Sequence, residues 1–162
     1  MQKKLSETLT LITSEGFGAS FKTTTRFRHR AIIGLGGNVG DVRRRFMHLL
    51  NYIQRIPNIT LLHTSPLLKN PPFGFTDQDD FLNAVIEVST SMNPKQLMRF
   101  LLYTEKKFGR KRSFANAPRT LDLDLIFFDK VKMDTPFLKL PHPHWQERDS
   151  VMIPLLKLGK KR

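Results

Sequence analysis

The order of apolar patterns along the chain is the feature that most constrains its fold. A strand pattern at residues 30–37, "RAIIGLGG", precedes a helix that Asp41 can cap. Apolar residues recur in that helix at helical spacing, namely Phe46, Leu49, Leu50 and Ile53. Two more strand patterns follow, "ITLLHTS" at residues 59–65 and "FLNAVIEVST" at residues 81–90. This part of the chain is therefore predicted to contribute three strands and one helix.

A second helix is predicted after Asn93, because a capping residue followed by Pro94 is a typical helix start. Gly109 is a natural stop for it, and its predicted buried stripe consists of Leu97, Phe100, Leu101 and Phe108. A fourth strand pattern within "RTLDLDLIFFD", residues 119–129, completes the order β-α-β-β-α-β. This order is typical of an α+β fold of the ferredoxin-like kind, an antiparallel sheet with helices packed on it.

The 162 residues are enough for one domain with a hydrophobic core. Residues 1–29 show no clear period, so we expect an N-terminal arm that can form a hairpin, and residues 30–162 form the main domain. The segment at residues 140–158 is predicted to be a loop and a short final helix. "GLGGNVGD" at residues 34–41 is interpreted as a tight glycine turn, because it fits neither the dinucleotide fingerprint nor the P-loop.

The composition of the chain indicates its cellular compartment and the classes of partner that it can bind. The chain has no Cys, so it can form no disulfide or thiolate metal site, and the cytoplasm is the expected location. No apolar run approaches the ~20 residues that span a bilayer, although a basic, Ser/Thr-rich start leaves a transit peptide as an alternative. Lys and Arg number 27 against 14 acids, a formal net charge of +13. This excess predicts a polyanionic partner, which is nucleic acid, a membrane surface or a phosphate-rich small molecule.

Two carboxylates interrupt the apolar fourth strand. Side chains alternate along a strand, so Asp122 and Asp124 share one face. At roughly 7 Å apart and an effective dielectric of about 20, their charges repel by about 2–3 kcal/mol, so positive groups should lie near them. Candidate partners are Arg119, three residues upstream, with Arg110 and Arg112 across the preceding loop. Paired carboxylates that bind Mg²⁺ beside phosphate-binding arginines suit phosphoryl transfer, and the alternative is a set of ion pairs on a solvent face.

Two other loops carry candidate binding residues. In "NPPFGFTDQDDFLN", residues 70–83, Pro71, Phe73 and Phe81 offer apolar walls, and Asn83 offers a paired donor and acceptor. This combination can hold a flat heterocycle, whereas Phe81 is alternatively a core residue. In the C-terminal segment, the candidate phosphate donors are His142 and Arg148.

These pieces, in this order, resemble the 6-hydroxymethyl-7,8-dihydropterin pyrophosphokinases of folate biosynthesis. "GLGGNVGD" resembles the family's N-terminal glycine turn, and "NPPFG…FLNA" resembles its pterin loop. "GRKRSFANAPRTLDLDLIFFD" is similar to its signature, and "LPHPHWQERDSVMIPLLKL" to its C-terminal segment. The likeness covers roughly residues 30 to 158.

The resemblance implies that pyrophosphate passes from ATP to the hydroxymethyl oxygen of the pterin, with release of AMP. Asp122 and Asp124 would hold two Mg²⁺ ions. The implied ATP-binding residues are Glu105, Arg110, Arg112, Arg119, His142 and Arg148, of which Arg110 and Arg119, with both aspartates, are the implied catalytic residues. The implied pterin-binding residues are Asn70, Pro71, Phe73, Phe81 and Asn83. A monomer is expected, with these two small molecules as its partners and with no nucleic acid or membrane.

The chain departs from the family at Ser150 and at Asn70. Ser150 stands where relatives usually carry an aromatic residue against the second pterin face, and Trp145 is a candidate substitute. Asn70 replaces a usual Thr. Two other functions stay open from the residues, an RNA-binding module and a non-catalytic nucleotide sensor of the same fold. The strands lack the aromatic signature that the RNA-binding alternative needs.

Overall fold

An antiparallel sheet organises the fold. A computed structural model describes residues 1–23, 26–110, 114 and 116–159. The strands are β1 (Gln2–Lys4), β2 (Thr10–Ile12), β3 (His29–Gly37), β4 (Ile59–Thr64), β5 (Leu67–Asn70), β6 (Phe81–Thr90), β7 (Asp122–Phe128), β8 (Met133–Asp134) and β9 (Lys139–Leu140). The helices are α1 (Val42–Gln54), α2 (Pro94–Lys107) and α3 (Asp149–Lys157), with a 3₁₀ turn at Trp145–Glu147.

The four predicted strands lie in the order β7-β3-β6-β4, and every pairing is antiparallel. β6 is long enough to pair with β4 near one end and with β5 near the other. β2 and β1 continue the sheet beyond β5, while β8 and β9 form a separate hairpin. The predicted α+β class is confirmed. The sheet is larger than the predicted four-stranded ferredoxin-like one. Its additional strands have only three or four residues, which is too short for a period to show in the sequence.

The first residues of the chain are built into this sheet. β1 and β2 form the hairpin that residues 1–29 were predicted to allow, and β2 pairs with β5. Phe17 is 2% exposed, and its ring centroid lies 5.9 Å from that of Phe46 in α1. The predicted arm therefore contributes to the core.

Both main helices begin and pack as their sequences predict. The Asp41 side chain accepts a hydrogen bond from the Arg44 N–H, and Asn93 and Gln96 form a reciprocal capping box. The apolar stripe of α1 is buried, whereas in α2 Phe100 and Phe108 are only partly buried. Both of these rings pack against Tyr52 of α1, with centroids 6.0 and 6.1 Å away. α1 and α2 therefore lie side by side on the sheet.

The expected glycine turn at residues 34–41 is wrong in its extent. Gly34, Gly36 and Gly37 lie in β3, which β6 and β7 flank on its two sides. Only Asn38 to Asp41 form the turn, where Gly40 has a φ of +70°. Hydrogen bonds from two neighbouring strands hold these glycines extended, in agreement with the strand pattern predicted at residues 30–37.

The two faces of the sheet are used differently. α1 and α2 cover one face, with Ile33, Leu35 and Leu123 in the shared core. The other face carries the aspartates of β7, and α3 contacts β5 and β6, where Leu68 and Val85 are fully buried. Within the described part of the chain, no helix is long and apolar enough to cross a membrane.

Candidate active site

The two carboxylates of β7 lie on the sheet face opposite α1 and α2. Asp124 is in register with Gly34, and Asp122 is in register with Gly36. Across the next strand, Gly36 is in register with Asn83. Alternation therefore places both aspartates on one face, as predicted, and register puts Asp122 in one polar row with Asn83 across Gly36.

Glycine in β3 makes this row possible. A Cβ atom on Gly36 would lie 2.7 Å from Asn83 Oδ1, which is closer than such atoms can approach. Asn83 Nδ2 in turn donates a hydrogen bond to Asn70 Oδ1 at 2.6 Å. Two residues of the predicted pterin set are therefore bonded to each other over a floor of peptide backbone.

Arg110 joins the polar row to the helical layer. Its Nη1 donates to Asp122 Oδ1 at 2.8 Å and also to the Glu105 carboxylate. Glu105, which is buried at the end of α2, accepts a further hydrogen bond from the Leu123 N–H at 2.8 Å. Arg119 Nη1 lies 3.5 Å from Asp122 Oδ2. The positive groups predicted from the repulsion between the two aspartates are thus present. Glu105 holds one of them, Arg110, in place.

Asp124, unlike Asp122, takes part in no ion pair within 4.0 Å among the described residues. Burial, with the neighbouring Asp122 charge, raises the pKa of Asp124 to about 7, although Arg148 and Arg110 oppose the shift. Burial also raises the pKa of Glu105, against its hydrogen bond from Leu123 and its pairing with Arg110. A cation placed against Asp124 would favour the charged form of its carboxylate.

The donor set fits a magnesium ion that shares its ligands with a substrate. Among the described residues, no group of three or more His, Cys, Asp or Glu side chains is arranged to hold a metal alone. Mg²⁺ commonly takes only one or two carboxylates and completes its shell with phosphate oxygens and water. Asp122 and Asp124 supply oxygen ligands of that kind.

The C-terminal segment brings two more predicted residues to this face. The His142 N–H donates to the Ile126 carbonyl at 2.9 Å, which ties the segment to β7. Burial and the nearby charges of Arg148 and His144 lower the pKa of His142, against the opposing effect of Asp122. His142 thus lies within electrostatic reach of Asp122, as Arg148 does of Asp124. Arg112 lies outside the described residues.

The remaining predicted pterin residues are more scattered. Phe81 is half-buried and lies on the same strand face as Asn83, two residues away. Phe73 is 82% exposed, Pro71 is also exposed, and Ser150 lies in the first turn of α3. The structure therefore brings Asn70, Phe81 and Asn83 together and leaves Phe73 in solvent.

Trp145 does not replace the aromatic residue that Ser150 lacks. Its ring meets the edge of Phe127 at a centroid distance of 4.8 Å. Phe127 lies opposite Ile32 in register, and Ile32 lies opposite Glu87. Six residues of strand, about 20 Å, separate Glu87 from Phe81. Trp145 therefore provides no second wall opposite Phe81.

Sequence reasoning missed Asn38, a buried residue in the turn after β3. Its Oδ1 accepts from the Arg119 N–H at 2.8 Å, and its own N–H donates to the Arg119 carbonyl at 2.9 Å. Its Nδ2 donates to Gln78 Oε1 and to the Asp79 carbonyl, both at 2.9 Å. Gln78 Nε2 continues the network to the Asn116 carbonyl at 2.9 Å. Asn38 therefore connects three loops that border the site.

Comparison with known proteins agrees with this geometry. A model of the 7,8-dihydro-6-hydroxymethylpterin-pyrophosphokinase family matches residues 32–160. The 2-amino-4-hydroxy-6-hydroxymethyldihydropteridine pyrophosphokinase of Helicobacter pylori is 40% identical over 147 residues, which cover 90% of each chain. The enzyme of that name from Campylobacter jejuni is 46% identical over 130 residues, covering 80% of this chain and 82% of its own. A folic acid synthesis protein of Schizosaccharomyces pombe is 34% identical over 129 residues, 80% of this chain and 18% of its own. The predicted family and enzyme class are thus confirmed, and the chain belongs to the 7,8-dihydro-6-hydroxymethylpterin-pyrophosphokinase family.

Proposed function

We propose that this enzyme transfers the terminal pyrophosphate of ATP to 6-hydroxymethyl-7,8-dihydropterin. The hydroxymethyl oxygen attacks the β-phosphorus of ATP, the bond between that phosphorus and the α,β-bridging oxygen breaks, and AMP leaves. The hydroxyl proton passes to water, and the pterin carries the pyrophosphate. The observation that carries the proposal is the pairing of Arg110 and Arg119 with Asp122, beside Asp124, which has no ion-pair partner among the described residues.

The charged residues have separate roles in this proposal. Asp122 and Asp124 would hold two Mg²⁺ ions, which when bound would neutralise phosphate charge and act as Lewis acids. Arg110 and Arg119 bind phosphate oxygens through guanidinium N–H groups, and Glu105 keeps Arg110 in place. Arg110 Nε is buried and has no hydrogen-bond partner among the described residues, so that side chain has a further donor to offer.

Residues outside this pair of aspartates complete the nucleotide site in the proposal. His142 and Arg148 bind the phosphates from the C-terminal segment, and Arg112 does so from its loop. His142 suits this role through a ring N–H, which a neutral imidazole retains. Positioning and charge neutralisation account for most of the catalysis of phosphoryl transfer, so no protein nucleophile is needed.

The pterin lies on the other half of the polar row. Asn83, held by Asn70, hydrogen-bonds the edge of the heterocycle, and Phe81 packs against one of its faces. Pro71 and Phe73 line the loop beside it. The proposal includes a monomer and a cytoplasmic location. The absence of Cys supports the location.

Replacement of the aspartates tests the proposal. Asp122→Asn and Asp124→Asn should each lower the rate of AMP formation by about 100-fold or more, because each removes a charged ligand where phosphate charge must be neutralised. The measurement is AMP and pyrophosphorylated pterin by chromatography, at saturating Mg²⁺. Asp124→Asn should not be less stable, because it relieves carboxylate repulsion, whereas Asp122→Asn also weakens the ion pairs with Arg110 and Arg119.

A matched control keeps this test specific. Asp134 carries an 88% exposed side chain in β8, 3.9 Å from Lys139 Nζ, so Asp134→Asn should leave turnover unchanged. Full turnover by Asp122→Asn or Asp124→Asn would contradict the metal role. Formation of ADP in place of AMP would contradict pyrophosphoryl transfer itself.

A further inference from the structure

Apart from Asp41 at the cap of α1, the charged residues exposed on the solvent side of the two-helix layer are all cations. We name this surface the helical cation face and define it by seven exposed residues: Arg43, Arg44, Arg55, Lys95, Arg99, Lys106 and Lys107. The two helices with their caps contain only two acids. Asp41 is the cap of α1, and Glu105 is buried against Arg110. No exposed carboxylate thus lies among these cations within either helix.

Helical spacing arranges these residues in two rows. Arg44, His48, Asn51 and Arg55 follow one another along the exposed stripe of α1, and Lys95, Arg99, Tyr103 and Lys106 along that of α2. The first and last residues of each row are 11 positions apart, which is about 16 Å at 1.5 Å per residue. The Tyr52 and Phe100 rings stack 6.0 Å apart between the helices, so the rows lie next to each other.

Most cations of this face contribute little to folding, although Lys106 and Lys107 lie in the last turn of α2, where the helix dipole favours them, and Lys107 Nζ lies 5.1 Å from the centroid of the Tyr52 ring. In the described part of the chain, none of the seven takes part in an ion pair within 4.0 Å. Arg43 and Arg44 occupy the first turn of α1, where the positive end of the helix dipole disfavours them. Arg45 differs, because it donates hydrogen bonds to the Val39 and Thr120 carbonyls. Arg43, Arg44 and Lys95 are repulsive charges that have no internal partner among the described residues, and such charges indicate an external partner.

We propose that the helical cation face binds the phosphate backbone of nucleic acid, without sequence preference. Four of the seven cations are arginines, which bind phosphate oxygens bidentately. Tyr103 is 61% exposed between them and offers a ring on which a base can stack. Arg99 lies over the ring of Phe137, itself 42% exposed, at 5.7 Å. A single-stranded segment is therefore the form that this surface fits best.

An anionic membrane fits this surface less well. Interfacial helices insert an apolar face rich in Leu, Phe or Trp among the head groups. The only large hydrophobic side chain exposed on α1 or α2, both fully described, is that of Tyr103. The surface thus offers charge without an apolar face to insert.

The proposed surface is separate from the candidate active site. Asp122 and Asp124 lie on the opposite face of the sheet, and the core lies between them and the outer side of α1 and α2. The sequence-based expectation of no nucleic-acid partner depended on the strands, which lack stacking aromatics, and did not consider the helices. Nucleic acid at the helical cation face should therefore leave the ATP site open.

The experiment measures fluorescence anisotropy of a fluorescein-labelled single-stranded RNA of mixed sequence titrated with the protein at several salt concentrations. The test variant combines Arg44→Gln, Arg55→Gln and Arg99→Gln. It should bind about tenfold or more weakly than the wild type, and the slope of log K against log salt should fall by about 2, because each lost phosphate contact removes about 0.7. Its thermal stability and pyrophosphokinase activity should match those of the wild type.

A second triple variant, Lys3→Gln, Lys4→Gln and Lys130→Gln, removes the same charge from exposed positions elsewhere. It should change the affinity by less than twofold. Equal weakening by the two triple variants would overturn the proposal, because bulk charge would then explain the binding. Displacement of the RNA by saturating Mg-ATP would overturn it too, because the RNA would then occupy the active site.

Two further outcomes keep the proposal falsifiable. If the first variant does not fold, a replacement combines Arg43→Gln, Lys95→Gln and Lys106→Gln and carries the same expectation. Vesicles of phosphatidylserine and phosphatidylcholine provide the comparison with a membrane. Binding to these vesicles without binding to RNA would overturn the proposal in favour of a membrane surface.

Discussion

At the scale of single residues, Asn38 has the most consequences for the site. Its amide bonds to Arg119, Gln78 and Asp79, and these residues belong to two different loops. Both the donor and the acceptor atoms of this side chain are used, and Asn38 is buried. The position of Arg119 beside Asp122 therefore depends on one amide group in a third loop.

Replacement of Asn38 should damage stability and activity together. Asn38→Ala removes three partly buried hydrogen bonds, so we expect a loss of about 2–3 kcal/mol in the free energy of unfolding. Because Arg119 is then less well positioned, kcat should fall by about tenfold or more. Urea unfolding and steady-state kinetics measure the two effects. The control is Asn51→Ala, an exposed amide on α1, and a wild-type kcat in Asn38→Ala would show that Arg119 does not need this anchor.

The aspartates were predictable from sequence, whereas Asn38 was not. Alternation along a strand is a local rule, so it placed Asp122 and Asp124 on one face without any knowledge of the neighbouring strands. The partners of Asn38 lie 40, 41 and 81 residues away, and an Asn in a turn usually has local reasons to be there. Only the assembled sheet brings these loops together.

At the scale of elements, strand β3 determines the shape of the site. Gly36→Ala would place a Cβ atom 2.7 Å from Asn83 Oδ1, and Asn83 can move only by disturbing its bond to Asn70. We expect pterin affinity to fall by about 2–10-fold, which corresponds to one lost hydrogen bond, with ATP affinity unchanged. Isothermal titration with each ligand measures this.

The control lies on the same strand and the same face. A Cβ atom on Gly34 would come no closer than 3.4 Å to Ile126 Cδ1, so Gly34→Ala should affect pterin binding much less. Equal losses in the two variants would mean that the strand, and not the contact with Asn83, is responsible.

A pair of hydrogen bonds joins the start of β3 to the end of β7. Asp129 accepts a hydrogen bond from the Arg30 N–H at 2.7 Å and pairs with His29 Nδ1 at 2.7 Å. Partial burial alone would raise the pKa of Asp129, but these two interactions outweigh it and lower that pKa. A lowered carboxylate pKa stabilises the folded state above the unfolded pKa near 4, and the contribution disappears as the pH falls through the folded pKa.

Asp129→Asn should therefore lower the free energy of unfolding by about 1 kcal/mol at pH 7, and by less below pH ~4. Asn tolerates the left-handed backbone at this position, where φ is +47°, so the backbone should not change. Urea unfolding at several pH values provides the measurement, with Asp134→Asn as an exposed control. A deficit that stays constant from pH 7 to pH 3 would contradict the assignment.

Among the elements, α1 and α2 were predictable because their caps and apolar stripes are local signals. Strand β5 was not predicted, and the hairpin of β1 and β2 was expected only without strand bounds, because three or four residues carry no period and only their pairing partners define such strands. Glu105 was expected from the family alone. Glu105 is buried in α2, and its pairing with Arg110 explains this burial.

At the scale of the whole molecule, the N-terminal residues are part of the core. Phe17→Ala should lower the free energy of unfolding by about 3–5 kcal/mol, because a fully buried ring against Phe46 is lost. Denaturant unfolding measures this, and Phe73→Ala, at an 82% exposed ring, should cost far less. If Phe17→Ala unfolded like the wild type, residues 1–29 would behave as a separable arm.

The backbone floor at Gly34 and Gly36 also has an entropic consequence for the binding of ligands. Strands on both sides hold these peptide groups in a single conformation, and neither residue has a rotamer to lose. Immobilising a flexible side chain on binding costs about 0.5–1.5 kcal/mol. A ligand above these two glycines avoids that cost, so this part of the site is already in its binding conformation before any ligand arrives.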